Sequence, residues 1–179
     1  MAFKFTLEAN DPETAARAGR ITTVHGEVQT PAFMPVGTAG SVKSLTPDEL
    51  SEAGVDILLA NTYHLSLRPG SETVRRMGGL HRFTGWPGAI LTDSGGFQVM
   101  SLSPLRKVAD EGVTFRSHLD GSRRVLTPED AIRIQDELGT DIAMSLDELV
   151  ESPAPAEAVR AAVDRTVRWA ARGLKERDR

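Results

Sequence analysis

Asp93, Ser94, Gly95, Gly96, Phe97 and Gln98 put a carboxylate, a hydroxyl, two residues without Cβ, an aromatic ring and a carboxamide in six consecutive positions. That mixture suits the grip of a flat, polar, hydrogen-bonding ligand. The glycines let main-chain N–H groups come close to it. Phe97 can stack on a ring, and Gln98 can donate and accept. Asp93 can take up or release a proton. The same Asp-Ser-Gly-Gly also reads as a tight turn in which Asp93 caps the next helix, so the remainder of the chain has to decide.

The loop follows Ala89–Thr92, which reads as the end of a buried strand. Two further strands end the same way. Leu45-Thr46-Pro47-Asp48-Glu49 opens a helix with a capping box, and Gly54 closes it. Residues 56–60 then form a strand ending in Asn61-Thr62-Tyr63-His64. The device recurs: Leu126-Thr127-Pro128-Glu129-Asp130 opens a helix, Gly139 closes it, and residues 141–146 form a strand ending in Asp147-Glu148. A repeated unit of helix, Gly-x-Asp-Ile and buried strand predicts an α/β fold with parallel strands. In such a fold the C-terminal ends of the strands share one face, where ligands bind. Asn61, Asp93 and Asp147 are therefore expected to meet. Asp147 reads equally as a helix cap, and His64 is given no role.

The other segments frame this unit. Phe3, Phe5 and Leu7 alternate with polar residues and predict a half-buried strand. Residues 20–24 and 27–30 flank His25-Gly26 as a hairpin. Residues 1–30 are thus expected to form an N-terminal β cap, and residues 31–179 the α/β part. His25 reads as a turn residue rather than a ligand, because nothing near it in sequence would share a metal with it. Residues 32–36 read as a short strand, and residues 71–77 as a helix stopped by Gly78-Gly79. Residues 113–119 and 123–126 flank Asp120-Gly121-Ser122 as an inserted hairpin. Ser117, His118 and Asp120 on it are no triad, since neighbours on a strand face opposite ways. Val159, Val163, Val167, Ala170 and Leu174 make one apolar stripe at helical spacing on a last helix.

Composition bounds the rest. The chain has 179 residues, a net charge of −4 and no cysteine. That excludes a disulfide framework and a cysteine-based zinc site, and argues against broad nucleic-acid binding. Residues 160–179 nevertheless hold seven basic and three acidic residues, a phosphate-facing helix or a solvated face. No apolar run approaches the roughly 20 residues of a membrane span, and the N-terminus lacks a signal-peptide core. A cytoplasmic protein without membrane contact is expected. There is no P-loop, no Gly-x-Gly-x-x-Gly and no His-Glu-x-x-His. Thr92 stands where a nucleophile elbow around Ser94 needs glycine.

Residues 92–102, Thr-Asp-Ser-Gly-Gly-Phe-Gln-Val-Met-Ser-Leu, resemble the signature of bacterial tRNA-guanine transglycosylases, also called queuine tRNA-ribosyltransferases. The resemblance extends to Asn61-Thr62-Tyr63-His64-Leu65, Leu67-Arg68-Pro69-Gly70, residues 113–122 and Asp147-Glu148. It implies a (β/α)8 TIM-barrel family fold, here the N-terminal β cap and roughly the first half of the barrel. It implies exchange of guanine at the tRNA wobble position for a 7-deazaguanine, preQ1, in queuosine biosynthesis. By motif, Asp93 is the general acid/base, Ser94, Gly95, Gly96 and Phe97 line the base pocket, and Asp147 reads the purine N–H edge. Asn61 and Gln98 are further pocket candidates. Partners implied are tRNA, guanine, preQ1 and a second copy in a homodimer.

The family's nucleophilic aspartate and its zinc ligands, three cysteines and a histidine, lie in the second half of the barrel. No metal ligand is therefore assigned in this chain. A barrel takes roughly 250 residues, so an N-terminal fragment is expected, poorly stable and inactive alone. Two other classes are a non-catalytic purine-binding or partner-subunit paralogue, and a glycosidase-like pair of Asp93 with Asp147.

Overall fold

The computed structural model describes residues 3–102 and 106–179. Met1 and Ala2, counted in the expected β cap, lie outside them. Three strands open the chain: β1 (Lys4–Asn10), β2 (Arg17–Thr23) and β3 (Gly26–Thr30), antiparallel in the order β1-β2-β3. The hairpin around His25-Gly26 is as expected, and Ile21 lies opposite Val28. β1 is a correction: it is exposed along its whole length, with Phe5 at 49% and Leu7 at 54%. It is the edge strand, so only β2 and β3 reach the core. There Val28 packs on Ile57 and Ala89, with Ile21, Met34, Leu91 and Ile142 around them.

The expected strand over 32–36 shrinks to β4 (Val36–Gly37), and Phe33 is exposed. Pro31 and Pro35 lack the N–H that a ladder needs. The Pro35 carbonyl still accepts from Leu59 N at 3.0 Å. α1 (Pro47–Glu52) carries the expected capping box between Thr46 and Glu49. β5 (Ile57–Ala60) leads into α2 (Thr62–Leu67), capped by the Asn61 side chain. α3 (Ser71–Arg76) ends at the predicted glycines, but the chain immediately helicates again as α4 (Gly79–Thr84) before β6 (Ala89–Thr92) and α5 (Gly96–Leu102).

The inserted hairpin proves to be three strands, β7 (Lys107–Ala109), β8 (Gly112–Arg116) and β9 (Arg123–Leu126), antiparallel in that order. β8 stops at Arg116 because the turn closes there: Ser117 N donates to Ser122 O, and Gly121 N to Ser117 O. α6 (Pro128–Leu138) carries the second capping box, Thr127 with Asp130. β10 (Ile142–Ala143) is shorter than the predicted 141–146, and α7 (Ala156–Arg177) ends the described chain.

β4, β5, β6 and β10 form one sheet, parallel throughout, ordered β10-β6-β5-β4. The register aligns the strand ends: Ala60 lies beside Thr92, and Thr92 beside Ala143. Leu50, Leu58, Leu65, Leu80, Trp86, Ile90 and Leu138 fill the space between this sheet and its helices. A second cluster, with Tyr63, Val99, Phe115, Leu126, Leu146 and Trp169, ties the insertion and α7 to the site end.

On α7 the valine stripe lies on the exposed face. Val159, Val163, Val167 and Leu174 are 43–63% exposed, while Ala162, Trp169 and Gly173 are buried. The buried face is offset by about one residue, roughly 100° of helix. The indole decides it: Trp169 Nε1 donates to Asp110 O at 2.8 Å. Gly173 also lets the helix approach α6, where a Cβ would stand 3.1 Å from Ile132 Cγ1. Three of the basic residues of this helix are spent on the same docking. Arg165 and Arg168 pair with Asp110, and Arg172 with Glu129. No described helix is long and apolar enough to cross a membrane.

His25 also departs from expectation. It is a turn residue between β2 and β3, yet its Nδ1 lies 2.8 Å from Asp141 Oδ1, across 116 positions. Its ring stacks on His81, centroids 3.4 Å apart. The partners absent from its neighbourhood in sequence are supplied by the fold.

Candidate active site

The C-terminal ends of β5, β6 and the segment after β10 are brought together as the repeat predicts. The Asp93 carboxylate follows β6 and accepts four hydrogen bonds. Thr62 N and Gly95 N each donate to Oδ1 at 3.0 Å. Asn61 Nδ2 donates to Oδ2, and Gln98 Nε2 reaches the same oxygen at 3.3 Å. A carboxylate has about four lone-pair directions, so Asp93 is held in one orientation. Burial pushes its pKa up from the ordinary carboxyl value. The donors Thr62, Gly95 and Gln98 work against that rise, and the Asp147 charge adds to it.

Each donor is placed by local structure. Asn61 sits at the N-cap of α2, where its Oδ1 accepts from His64 N at 3.0 Å, leaving Nδ2 for Asp93. Thr62 is fully buried, and its hydroxyl donates to the Asp93 carbonyl. Gly95 has a φ of +79°, and a Cβ there would meet Tyr63 N at 3.2 Å. Only glycine turns the N–H back onto Asp93 while lying against α2.

Asp147 joins through Ser94. The buried Ser94 hydroxyl donates to Asp147 Oδ1 at 3.2 Å and accepts from Gly96 N at 3.2 Å. A Cβ on Gly96 would stand 3.1 Å from the Asp147 carbonyl and 3.2 Å from its Oδ1. Phe97, at the start of α5, is 62% exposed, so its ring is free to cover a ligand. Beside it Met100, Ser101, Arg106, Leu149 and Val150 line an open groove of about 360 Å³. Asn61, Thr62, Gly95 and Gln98 thus converge on Asp93, and the next residue, Ser94, bonds Gly96 and Asp147.

Gln135 belongs to the site's support and sequence reasoning missed it. Its side chain is fully buried on α6. Nε2 donates to Ala131 O at 2.8 Å and Met144 O at 2.9 Å. Oε1 accepts from Met144 N at 2.8 Å and from the Thr92 hydroxyl at 2.9 Å. One amide therefore ties the end of β6 to the chain leading from β10 to Asp147. The signal was a lone amide on the apolar face of α6, between Ala131 and Leu138. Ser117, His118 and Asp120 do not form a triad; His118 Nδ1 instead lies 2.7 Å from Tyr63 Oη. Burial and the neighbouring His118 hold His64 below the usual imidazole range.

A half-buried, proton-capable carboxylate with a second one held by the neighbouring serine agrees with what sequence comparison finds. The family described as Queuine tRNA-ribosyltransferase matches residues 11–179. The chain is 58% identical over 172 residues to the Queuine tRNA-ribosyltransferase of Desulforudis audaxviator, covering 96% of this chain and 46% of that protein. The Moorella thermoacetica protein of that name is 57% identical, over 94% of this chain and 45% of its own length. That of Thermus thermophilus is 55% identical, over 99% and 46%. The chain spans about half the length of the curated relatives it matches. With the match spanning residues 11–179, the stretch that holds Asp93 and Asp147, the chain belongs to the queuine tRNA-ribosyltransferase family.

Proposed function

We propose that this chain carries the base-binding part of a tRNA-guanine transglycosylase, a pentosyltransferase that exchanges guanine at the anticodon wobble position for a 7-deazaguanine, preQ1, in queuosine biosynthesis. The observation that carries the reading is the four-donor Asp93 carboxylate together with Asp147, which is held by the hydroxyl of Ser94, the residue after Asp93. A purine taken out of its stack presents a planar face and an N–H edge. Phe97 covers the face. Asp147 accepts from the edge, where a carboxylate takes two parallel N–H bonds.

Asp93 is the general acid/base, protonating the departing purine and deprotonating the incoming one. Its burial makes the neutral form accessible. Carrying a proton requires one of its four donors to turn away. Gln98 is the one suited to this, as its contact is the longest of those on main-chain or amide donors at 3.3 Å. Its Oε1 is buried without a hydrogen-bond partner among the described residues. A turn of the amide offers that oxygen to a protonated Asp93.

The four sequential parallel strands support a (β/α)8 barrel of which this is the first part, with residues 1–30 as its cap. Cleavage of an N-glycosidic bond builds positive charge on the sugar and calls for a further carboxylate as nucleophile; in the resemblance that group lies beyond this chain's residues. The resemblance also implies zinc on three cysteines and a histidine. That donor set does not fit this chain, which has no cysteine. Cytoplasmic location and a homodimer at the relatives' length complete the reading.

The test is incorporation of labelled guanine into tRNA by the protein at its natural length. Asp93→Asn should abolish exchange. Asp147→Ala should chiefly raise KM. Normal exchange by both variants would remove the assignment, and guanine binding without exchange by the unaltered protein would favour a non-catalytic purine-binding paralogue.

A further inference from the structure

We propose that His25, His81 and Asp141 form a binding site for one first-row divalent cation of the zinc type, which clamps the β2–β3 turn to the parallel sheet. The three residues come from the turn after β2, from α4 and from the residue before β10. Their donor atoms all lie within 4.8 Å of one another. His25 Nδ1 is 2.8 Å from Asp141 Oδ1, and His81 Nε2 is 3.1 Å from Asp141 Oδ2. Ligands at about 2.1 Å from a tetrahedral ion are roughly 3.4 Å apart, so the two histidine–aspartate contacts need only open slightly to admit an ion between the three donor atoms.

The Asp141 side chain is 1% exposed, and its only ion-pair partners among the described residues are these two imidazoles. The two rings stack with centroids 3.4 Å apart, and each presents one nitrogen to the one carboxylate. A dication there would compensate the buried anion and be held by neutral imidazoles, each keeping its proton on the ring nitrogen away from the ion.

The donor set selects the ion. Two imidazoles and one carboxylate suit zinc, cobalt or nickel, whereas magnesium and calcium ask for oxygen. The His25 side chain is 35% exposed and His81 13%, leaving a route for the ion and for a solvent ligand. The site lies where β6 and β10 begin, since Asp141 also accepts from Ile90 N at 2.9 Å. Asp93 and Asp147 lie at the opposite strand ends. The site is thus structural, and it stands whether or not the base-exchange reading does.

The test is calorimetric titration of the chelator-treated chain with zinc chloride, with cobalt(II) absorption as the reporter of imidazole coordination. The absence of cysteine from the chain removes competing thiolate sites. One ion per chain is expected, together with a rise in Tm on zinc addition. His25→Ala and His81→Ala should each weaken binding by roughly tenfold or more. His25 lies in an exposed turn, so its variant keeps the fold, checked by circular dichroism. Absence of zinc binding, or binding unchanged in both histidine variants, overturns the site and leaves a hydrogen-bonded cluster only.

Discussion

Gln98 Nε2 lies 3.3 Å from Asp93 Oδ2, while Gln98 Oε1 is buried and unpartnered among the described residues. The amide is therefore a donor to the ionised carboxylate with an acceptor in reserve. Gln98→Leu removes the donor and should raise the Asp93 pKa further, because a hydrogen bond to the charged form favours that form. Carbon-detected NMR titration of the Asp93 carboxyl reads the shift. An unmoved or lowered value would show that the amide does not stabilise the carboxylate.

The raised pKa of Asp93 has a consequence for stability. The folded state holds this proton more tightly than the unfolded chain, whose carboxyl titrates near 3.8. The contribution to stability is therefore complete below that value and is lost as pH rises through the higher folded pKa. In Asp93→Asn the dependence is absent. Denaturation midpoints of the two proteins, measured from acid to neutral pH, should diverge in favour of Asp93→Asn as pH increases.

Gln135→Met should destabilise the protein by about 1–3 kcal/mol. The change removes every hydrogen bond of a fully buried amide, while Met144 N keeps a contact of 3.3 Å to Thr92 O and the Thr92 hydroxyl one of 3.3 Å to Thr140 Oγ1. Urea unfolding measures it. Asp147 should also lose its fixed position, so purine affinity falls alongside stability.

Gly95→Ala should cost about 1–3 kcal/mol from the φ of +79° alone, with the close approach to Tyr63 adding to it. Loss of the Gly95 N–H contact would also raise the Asp93 pKa. An alanine variant as stable as the parent would show that the loop relaxes without strain.

Val163→Glu on α7 should change the stability of this chain by no more than about 0.5 kcal/mol, because Val163 is 55% exposed. Ala162→Glu, one residue earlier, should be severely destabilising, since Ala162 is 3% exposed in the helix's buried face. Thermal unfolding of the pair separates the observed helix orientation from one with the valine stripe turned inward.

What was legible in the sequence was local or repeated. The capping boxes at Thr46 and Thr127 depend on residues three apart, and both formed. The paired helix–strand units required parallel strands, which place Asn61, Asp93 and Asp147 at one end whatever their separation along the chain. What only the tertiary structure decided depended on contacts between distant segments. The valine stripe of α7 was a correct helical pattern, but Trp169 binding to Asp110 turned another face inward. β1 alternated as a half-buried strand does, yet at the sheet edge all its residues are exposed. Gln135 braces two strands because α6 crosses beneath both. His25 meets His81 and Asp141 only once the β2–β3 turn is folded against the start of β6 and β10. Periodicity reports which faces of an element are apolar. The neighbour that each face meets is set by long-range packing, which no local pattern records.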